Sequence, residues 1–416
     1  MAAIQKRGKN SYRLTVSCGY DKQGKKIRKY KTIDLSHIKP NKQLEEAQKQ
    51  FVLFENEVKK GLYLDTGKIT FEEFIDKWLK DYAEAELAPK TLLRYKKLLD
   101  RIIPALGHIK LNKLQPTHLV EFYNNLRENG IRTDGKSGGL SERTILHHHR
   151  LISSILTCAV QWQFILNNPA SRVKAPKVAK KEARHFDIEQ TEYILQLLEN
   201  APIKYKTAIY LDIYGGMRLG ELAGLKWSNV DFDNMLIKIN HSLQHVTGYG
   251  TFEKSTKNET SNRIISLPKT VMSLLKEYKV WQNGEKSKLG NLWCSEYDYI
   301  FTTREGKPIY PGSISSWFHK FIKKHNETIM KDSSISNDDK EKYLLDNVNF
   351  HGLRHTSATI LINQGIDVTT VSKRLGHART STTTDIYSHS LQKADRSAAD
   401  KLEGLFNSKN TTKKEG

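Results

Sequence analysis

Two histidines lie one helical turn apart in the stretch FHGLRHTSATILINQG, which spans residues 350–365. His351 and His355 are four residues apart, and Arg354 stands between them. Histidines at this spacing share one face of a helix, as they do in the zinc-binding HExxH motif. Here Gly352 replaces the glutamate base of that motif, and the adjacent arginine repels a divalent cation. The stretch therefore predicts an anion-binding site at a helix N-terminus, and no metal is expected.

Other residues in the chain have the chemistry to hold a phosphate group. Arg218 is flanked by glycines in the stretch GGMRLGE, and these let a backbone approach closely. The planar guanidinium group can bind two phosphate oxygens at once. Further along, the stretch RLGHARTSTTTDIYSHS places His377 ten residues before Tyr387. Taken alone, each of these residues also has an ordinary packing explanation, and so does His355.

The balance of charge points to a polyanionic partner. The chain has 67 Lys and Arg against 46 Asp and Glu, a formal net charge of +21. A one-sided excess of this size favours nucleic acid as the partner. Simple solubility is the alternative explanation.

The cysteines and the apolar segments indicate a protein of the reducing cytosol. Cys18, Cys158 and Cys294 lie far apart and form no CxxC pair, so neither a disulfide framework nor a zinc ribbon is predicted. The first ten residues lack the apolar run of a signal peptide. The longest stretch without acids or bases, residues 151–171, contains Ser, Thr, Gln and Asn, and it predicts a buried helix rather than a membrane span.

The patterns along the chain predict an α+β protein that is mostly helical. Residues 1–62 alternate like strands and then become helical, which predicts a three-stranded sheet plus a helix. Residues 68–170 have helical periodicity, and residues 171–186 form a basic linker rich in Pro, Lys and Ala. Residues 187–406 are predicted to be a mixed, mainly helical domain with a small sheet, and residues 407–416 a disordered tail.

The N-terminal sheet is strongly basic, with ten Lys or Arg and one acidic residue in residues 1–31. A strand ribbon can enter a DNA major groove, and a solvated charged hairpin is the alternative. The DNA contacts predicted in this module are Lys22, Lys25, Lys26, Arg28 and Lys29. Two more, Lys90 and Arg94, are predicted on the first long helix of the next domain.

The helical block carries two local signals. Thr70 followed by Glu73 predicts a capping box at a helix start. Three consecutive histidines, His147, His148 and His149, interrupt the last helical pattern. Successive helix residues point about 100° apart, so three in a row cannot share a face, and surface or groove contacts are expected for them rather than a metal.

The phosphate-binding candidates occur in an order and spacing that resemble the tyrosine recombinases, in the integrase branch of phages and integrative conjugative elements. GGMRLGE is similar to the family's first arginine motif, HGLRHTSAT to its HxxR box, and LGHARTSTTTDIYSH to its LGH followed by T-x-x-x-Y-S-H. The resemblance covers roughly residues 185–395. The preceding helical block resembles the family's core-site-binding domain, and the N-terminal strands resemble its arm-site-binding domain.

The resemblance implies a role for each matched residue. Tyr387 is expected to be the nucleophile, and Arg218 and Arg354 are expected to hold the scissile phosphate. His351 is expected to assist proton transfer, and His377 to donate a further hydrogen bond to the phosphate.

The family also has a lysine on a β-hairpin. The stretch KNETSNRIISLP aligns Lys257 with that lysine and Arg263 with the arginine of the pattern. Asn258 replaces the threonine after the lysine, and Gly215 stands where many members have threonine. Lys254, three residues earlier, is the alternative catalytic lysine.

The function implied by the resemblance is site-specific DNA recombination without a cofactor, through a 3′-phosphotyrosyl intermediate, to integrate and excise a phage or mobile element. The expected partners are double-stranded DNA at core and arm sites, three further copies of the chain in a homotetramer, an excisionase and a host DNA-bending protein. The expected location is the cytoplasm of a bacterial host, away from membranes. Residues 390–406 are expected to dock either on a neighbouring subunit or on their own domain.

Three alternatives remain at this stage. A dimer-resolving chromosomal recombinase shares the chemistry, but it normally lacks the extra basic module. A type IB topoisomerase uses the same covalent step, but the relaxation of supercoiled DNA needs no second DNA-binding module. A non-enzymatic DNA-binding regulator on the same scaffold does not need Tyr387.

Overall fold

The computed structural model describes residues 3–20, 23–59, 69–179, 184–255, 262–386 and 403 of the 416-residue chain. The chain divides into two compact units, residues 1–180 and 181–416. Small antiparallel sheets accompany a majority of helix, so the predicted α+β, mostly helical class is confirmed. Within the described residues, no helix has the length and apolarity needed to cross a membrane.

The N-terminal part is a three-stranded antiparallel sheet covered on one face by a helix. Its elements are β1 (Ala3–Lys6), β2 (Ser11–Tyr20), β3 (Lys26–Asp34) and α1 (Gln43–Lys59). The strand order is β1-β2-β3. Side chains alternate along β2, so Tyr12, Leu14 and Val16 face α1 and are buried, the last two with Phe54. The other face of the sheet is left uncovered by α1.

The rest of the first unit is a helical block. Its helices are α2 (Phe71–Trp78), α3 (Glu84–Glu86), α4 (Pro89–Leu106), α5 (Pro116–Asn125) and α6 (Glu142–Gln161). The capping box predicted at Thr70 and Glu73 is confirmed, because each residue's side chain accepts a hydrogen bond from the other's backbone N–H. His148 lies on the core face of α6 and is 1% exposed, so the surface position expected for it is wrong.

The second unit combines nine helices with five short strands among the described residues. Its helices are α7 (Ile188–Leu197), α8 (Ile203–Gly215), α9 (Leu219–Ala223), α10 (Lys269–Leu289), α11 (Pro311–Lys331), α12 (Asn337–Tyr343), α13 (Phe350–Asn363), α14 (Val368–Leu375) and α15 (Thr380–Ile386). Its strands are β4 (Val230–Asp231), β5 (Leu236–Ile239), β6 (His241–Val246), β7 (Gly250–Ser255) and β8 (Arg263–Ser266). The strands form a sheet of order β4-β5-β8 and a separate β6-β7 hairpin, all antiparallel.

A large core, together with a smaller cluster of buried residues between α13 and α14, holds this unit together and fixes the ends of the elements that carry the candidate site. α8 and α13 pack against each other, β8 lies against α14, and α9 lies against β6. Phe186, in the predicted linker, belongs to this core: it is 1% exposed, and its backbone N–H donates to Thr356 Oγ1 at 3.0 Å. The packing therefore brings the α8–α9 turn, the start of α13 and the end of α14 into one region.

Candidate active site

A tight turn between α8 and α9 positions Arg218. α8 ends at Gly215, and Gly216 follows in the left-handed conformation with φ of 59°. A Cβ atom on Gly216 would be strained and would lie 2.6 Å from Leu375 Cδ2, so glycine is needed here. Arg218 then caps the N-terminus of α9 with an extended backbone. Its side chain therefore starts from a rigid corner of the fold.

A buried carboxylate holds Arg218 in place. Glu221 Oε1 accepts a hydrogen bond from Arg218 Nη1 at 2.6 Å, and Glu221 Oε2 accepts one from Arg263 Nη2 at 2.7 Å. Burial by itself raises the pKa of Glu221, but the hydrogen bond and charge of Arg263, together with Arg218, outweigh it and leave the pKa below its ordinary value. Glu221 is therefore ionised, and it fixes two guanidinium groups that would otherwise repel each other.

Arg354 is held by the same group of turns. Its Nη1 donates to the carbonyl oxygen of Gly216 at 2.6 Å, and Arg218 Nη2 donates to the carbonyl oxygen of Gly376 at 2.9 Å. Arg354 is 1% exposed, whereas the Arg218 side chain is 39% exposed. The two arginines, which come from distant parts of the sequence, are thus preorganised in one region.

A second buried carboxyl group lies near Arg354. Asp212, on α8, is fully buried, and its carboxyl oxygens have no hydrogen-bond partner among the described residues. Burial raises the pKa of Asp212 well above its ordinary value, although the charge of Arg354 opposes this effect. Burial thus disfavours the charged form of Asp212, whereas Glu221 supplies negative charge to the cluster.

His351 lies on the first turn of α13, beside both arginines. Its ring centre is 4.9 Å from that of His355, and the two planes are nearly perpendicular. Burial lowers the pKa of His351, and the charges of Arg354 and Arg218 lower it further. The ring is therefore neutral at pH 7 and can accept a proton. Across the described ranges, no three His, Cys, Asp or Glu side chains are grouped closely enough to hold a metal ion.

His377 follows α14 directly and completes the described part of the cluster. Burial lowers its pKa to about 4, and Arg354 and Arg218 add to the effect. Its Nδ1 lies 2.8 Å from Thr383 Oγ1 on α15, and its backbone N–H donates to the Ser372 carbonyl oxygen. The ring is therefore neutral at pH 7 and fixed through one nitrogen.

The β6–β7 hairpin is anchored to the body of the unit through Glu253. The Glu253 carboxylate lies 2.7 Å from the Tyr299 hydroxyl, 2.9 Å from Lys226 Nζ and 2.9 Å from His241 Nε2. Burial by itself raises the pKa of Glu253, but the bonds from Lys226 and Tyr299 outweigh it and lower the pKa. This ionised group fixes the strand that leads toward Lys257.

Three of the predicted residues, Lys22, Lys257 and Tyr387, lie outside the described residues. Lys257 falls between β7 and β8 in the sequence, and Tyr387 directly follows α15. The alternative lysine, Lys254, lies on β7 opposite Ser242. The structure thus describes the arginines and histidines of the predicted set, the strands on either side of Lys257 and the helix that precedes Tyr387.

The structure adds residues that the sequence reasoning did not assign to the site. Glu221 and Thr383 are two of them, and Arg374 is a third. Arg374 donates to the carbonyl oxygens of Tyr214 and Ser266, and its own carbonyl oxygen accepts from Arg263 Nε at 2.7 Å. The position of Glu221, three residues after Arg218, was a usable signal, because this spacing joins side chains on one helical turn.

The structure describes four of the N-terminal residues predicted to contact DNA: Lys25, Lys26, Arg28 and Lys29. Lys29 pairs with Val16 across the strands and shares the face that packs on α1. Arg28 lies on the opposite, outer face. On that outer face the Arg13 guanidinium also stacks 4.0 Å from the centre of the Tyr30 ring. The outer face therefore combines positive charge with an aromatic ring.

The helical block carries a basic surface formed by α4 and α6. On α4, basic residues recur at helical spacing: Lys90, Arg94, Lys97 and Arg101. On α6, the corresponding stripe is Arg143, His147 and Arg150. Burial lowers the pKa of His147, and the charges of Arg94, Arg150 and Arg143 lower it further, so the two stripes adjoin. We call these seven residues the basic surface of the helical block.

Comparison with known proteins identifies the family of this chain. Residues 184–394 match the Phage integrase family, and residues 70–127 match the phage integrase N-terminal SAM-like domain. The chain is 27% identical to a XerC-like tyrosine recombinase of Caldanaerobacter subterraneus subsp. tengcongensis, over 96% of this chain and 98% of that protein. It is 28% identical to the ICEBs1 integrase of Bacillus subtilis, over 64% of this chain and 67% of that integrase.

The fold is similar to that of the Tn1549 transposon integrase, solved in complex with a circular intermediate DNA. The TM-score is 0.63 at 22% identity, and the match covers 80% of this chain and all of that structure. The fold and the arginine–histidine cluster define a tyrosine recombinase, an enzyme class that cleaves and rejoins DNA. This chain belongs to the phage integrase family, as its motifs predicted.

Proposed function

We propose that this chain is an integrase, a site-specific recombinase that inserts a phage or mobile element into DNA and excises it. The observation that carries the proposal is the joint position of Arg218 and Arg354 beside the neutral rings of His351 and His377. Arg354 is bonded to Gly216 in the turn that precedes Arg218, and Arg218 is bonded to Gly376 next to His377. This arrangement offers two fixed positive charges and two uncharged imidazoles, which suits a phosphodiester in transfer.

The proposed reaction begins with attack by Tyr387 on the scissile phosphate. The phenolic oxygen bonds to phosphorus, the bond from phosphorus to the 5′ oxygen breaks, and a 3′-phosphotyrosyl ester forms. His351 accepts the phenolic proton, and Lys257 protonates the departing 5′ oxygen. Attack by the 5′ hydroxyl of another strand then reverses these steps. Because one phosphoester replaces another, the exchange needs no nucleotide cofactor as an energy source.

The arginines supply the electrostatic part of catalysis. Negative charge grows on the non-bridging oxygens as the phenol attacks, and Arg218 and Arg354 are already fixed to receive it. A preorganised donor of this kind is worth about 3 kcal/mol of barrier. Glu221 prevents Arg218 from turning away, and His377 offers one more hydrogen bond to the phosphate.

We assign DNA binding to three parts of the chain. Residues 187–406 act on the scissile phosphate, and residues 68–170 bind the core site through the basic surface of the helical block. Residues 1–62 bind an arm site, with the outer sheet face in a major groove. The linker, residues 171–186, joins the second and third parts, and residues 407–416 form a tail without a catalytic role.

Assembly follows from the number of strands exchanged. Recombination between two duplexes breaks four strands, and each break needs one tyrosine, so a homotetramer on double-stranded DNA is proposed. Residues 390–406 dock on a neighbour or on their own domain within this assembly. An excisionase and a host DNA-bending protein are the proposed accessory partners, and the site of action is DNA in the bacterial cytoplasm.

A second candidate is a dimer-resolving chromosomal recombinase, which the likeness to a XerC-like recombinase over 96% of this chain favours. The basic N-terminal sheet supports the integrase instead, because it provides a second DNA-binding surface. The two functions separate in a plasmid assay. An integrase joins a plasmid carrying the element's ends to a target plasmid, whereas the alternative resolves plasmid dimers and needs no arm sites.

The experiment that tests the chemistry replaces Tyr387 with Phe. The variant protein should bind DNA as the wild type does, yet form no covalent adduct on a nicked suicide substrate that traps the phosphotyrosyl ester. The matched control is Tyr343→Phe, because Tyr343 lies on α12 and is 42% exposed. This variant should form the covalent adduct at the wild-type rate. An adduct persisting in Tyr387→Phe would show that another residue is the nucleophile.

A further inference from the structure

Thr383 connects the phosphate-binding cluster to the helix that leads to Tyr387. Its hydroxyl oxygen lies 2.8 Å from His377 Nδ1, and its side chain is fully buried. Thr383 is on α15, four residues before Tyr387 in the sequence. The hydrogen bond thus joins the turn after α14 to helix α15. Among the described residues, the hydrogen-bond partner of the Thr383 hydroxyl is His377 Nδ1.

The chemistry of the bond depends on which atom donates. Burial and the positive charges around His377 lower its pKa and keep its ring neutral, so the ring carries one N–H group, on either Nδ1 or Nε2. A phosphate oxygen accepts hydrogen bonds and donates none at neutral pH. His377 can therefore assist at a phosphate only when Nε2 carries the hydrogen and Nδ1 is an acceptor. A hydroxyl group at Nδ1 can meet that need by donating its own hydrogen.

We propose that Thr383 is a positioning residue that donates to His377 Nδ1 and thereby selects the tautomer whose Nε2–H points to the scissile phosphate. The tautomer of a histidine is set by the hydrogen bond at its other nitrogen, and here that partner is a fully buried hydroxyl. The inference rests on the proposed role of His377 in phosphate binding. It also makes the placement of α15 and the state of the phosphate donor depend on one contact.

The chain offers a matched pair of substitutions to test this role. Thr383→Val keeps the branched shape and removes the hydroxyl, whereas Thr383→Ser keeps the hydroxyl and removes a methyl group. Single-turnover cleavage of a suicide DNA substrate should slow by about tenfold or more in Thr383→Val, the range typical of a lost orienting partner, and should recover most of the wild-type rate in Thr383→Ser. DNA affinity and the thermal midpoint of Thr383→Val should stay close to those of the wild type.

A double-mutant cycle with His377→Ala separates positioning from general packing. If Thr383 acts through His377, adding Thr383→Val to His377→Ala should slow cleavage by less than about twofold, because the partner is already gone. Full additivity of the two losses would overturn the proposal, and so would wild-type cleavage by Thr383→Val. A parallel fall in thermal midpoint and DNA affinity without recovery by Thr383→Ser would also overturn it.

The wild-type protein distinguishes this failure from failure of the proposed function. If the wild type forms no Tyr387-dependent adduct, the proposed chemistry is wrong and the role of His377 falls with it. If the wild type forms the adduct and Thr383→Val cleaves at the same rate, the chemistry stands and the proposed role of Thr383 is wrong.

Discussion

Replacing Glu221 with Gln tests whether the buried carboxylate organises the site. The substitution keeps the size and one acceptor oxygen but removes the charge that two guanidinium groups share. Arg263 is 7% exposed, so its pair with Glu221 is effectively buried, while the Arg218 side chain is 39% exposed and partly screened by water. The buried pair therefore dominates the expected loss of stability.

The magnitude follows from these exposures. Removing one partner of a buried ion pair costs about 3–5 kcal/mol, because the remaining charge is left uncompensated. The amide oxygen can still accept one bond, so we expect the low end, about 3 kcal/mol. For a domain of this size each kcal/mol shifts the thermal midpoint by roughly 2–4 °C, so the midpoint should fall by roughly 6–12 °C. Cleavage should slow by about tenfold or more, because Arg218 is no longer held in position.

The pH dependence gives an independent check. The pKa of Glu221 in the folded protein lies below its ordinary value of 4.5, so its stabilising contribution is complete above pH 4.5 and is lost as the pH falls through the lower folded value. The stability difference between wild type and Glu221→Gln should therefore be constant from pH 7 down to about 4.5 and shrink below it.

The measurement is a series of thermal melts across this pH range, paired with single-turnover cleavage at pH 7. The control is Glu327→Gln, because Glu327 is 54% exposed and pairs with Lys323 at 3.7 Å, which predicts a change of at most about 1 kcal/mol. If Glu221→Gln melted within about 1 °C of the wild type and cleaved at its rate, the carboxylate would not organise the arginines and the reasoning would be refuted.

The remaining predictions concern DNA binding. Arg94→Ala should weaken core-site binding and reduce the slope of log affinity against log salt by about 1, the loss of one phosphate contact, as measured by fluorescence anisotropy; an unchanged slope would place Arg94 away from DNA. The control is Arg132→Ala, whose guanidinium already pairs with Asp134 at 2.6 Å. Replacing both Arg13 and Arg28 with Ala should reduce plasmid integration while leaving core-site cleavage intact. Integration at the wild-type level would exclude the outer sheet face as the arm-site reader.

The sequence determined the class of this protein because its motifs are local. HGLRH fits within two helical turns, and the structure has Arg354 in the first turns of a helix, where that stretch predicted a helix N-terminus. GGMRLGE is equally short, and Arg218 lies at the start of α9. The capping box at Thr70 and the alternating strand β2 were predictable for the same reason. The net charge of +21 favoured nucleic acid as the partner without any knowledge of the fold.

Local patterns were less informative about which residues of an element are buried. His148 was expected at the surface with its two neighbours, yet α6 turns it into the core, because the helix buries whichever face meets α5 and α2. Lys29 belongs to a basic run in sequence, but the strand pairing places it on the α1 side of the sheet. Neither outcome is visible until the packing partners of the element are known.

The tertiary structure alone decided how the active-site groups are supported. Three sets of contacts join separate elements: the Glu221–Arg263 pair, the bonds from Arg354 to Gly216 and from Arg218 to Gly376, and the Thr383 contact to His377. A linear pattern encodes which groups are present, but hydrogen-bond partners across elements depend on how the helices and strands pack around the core. The sequence thus supplied the reacting groups, and the packing of α8, α13, α14 and β8 supplied their orientation and their protonation states.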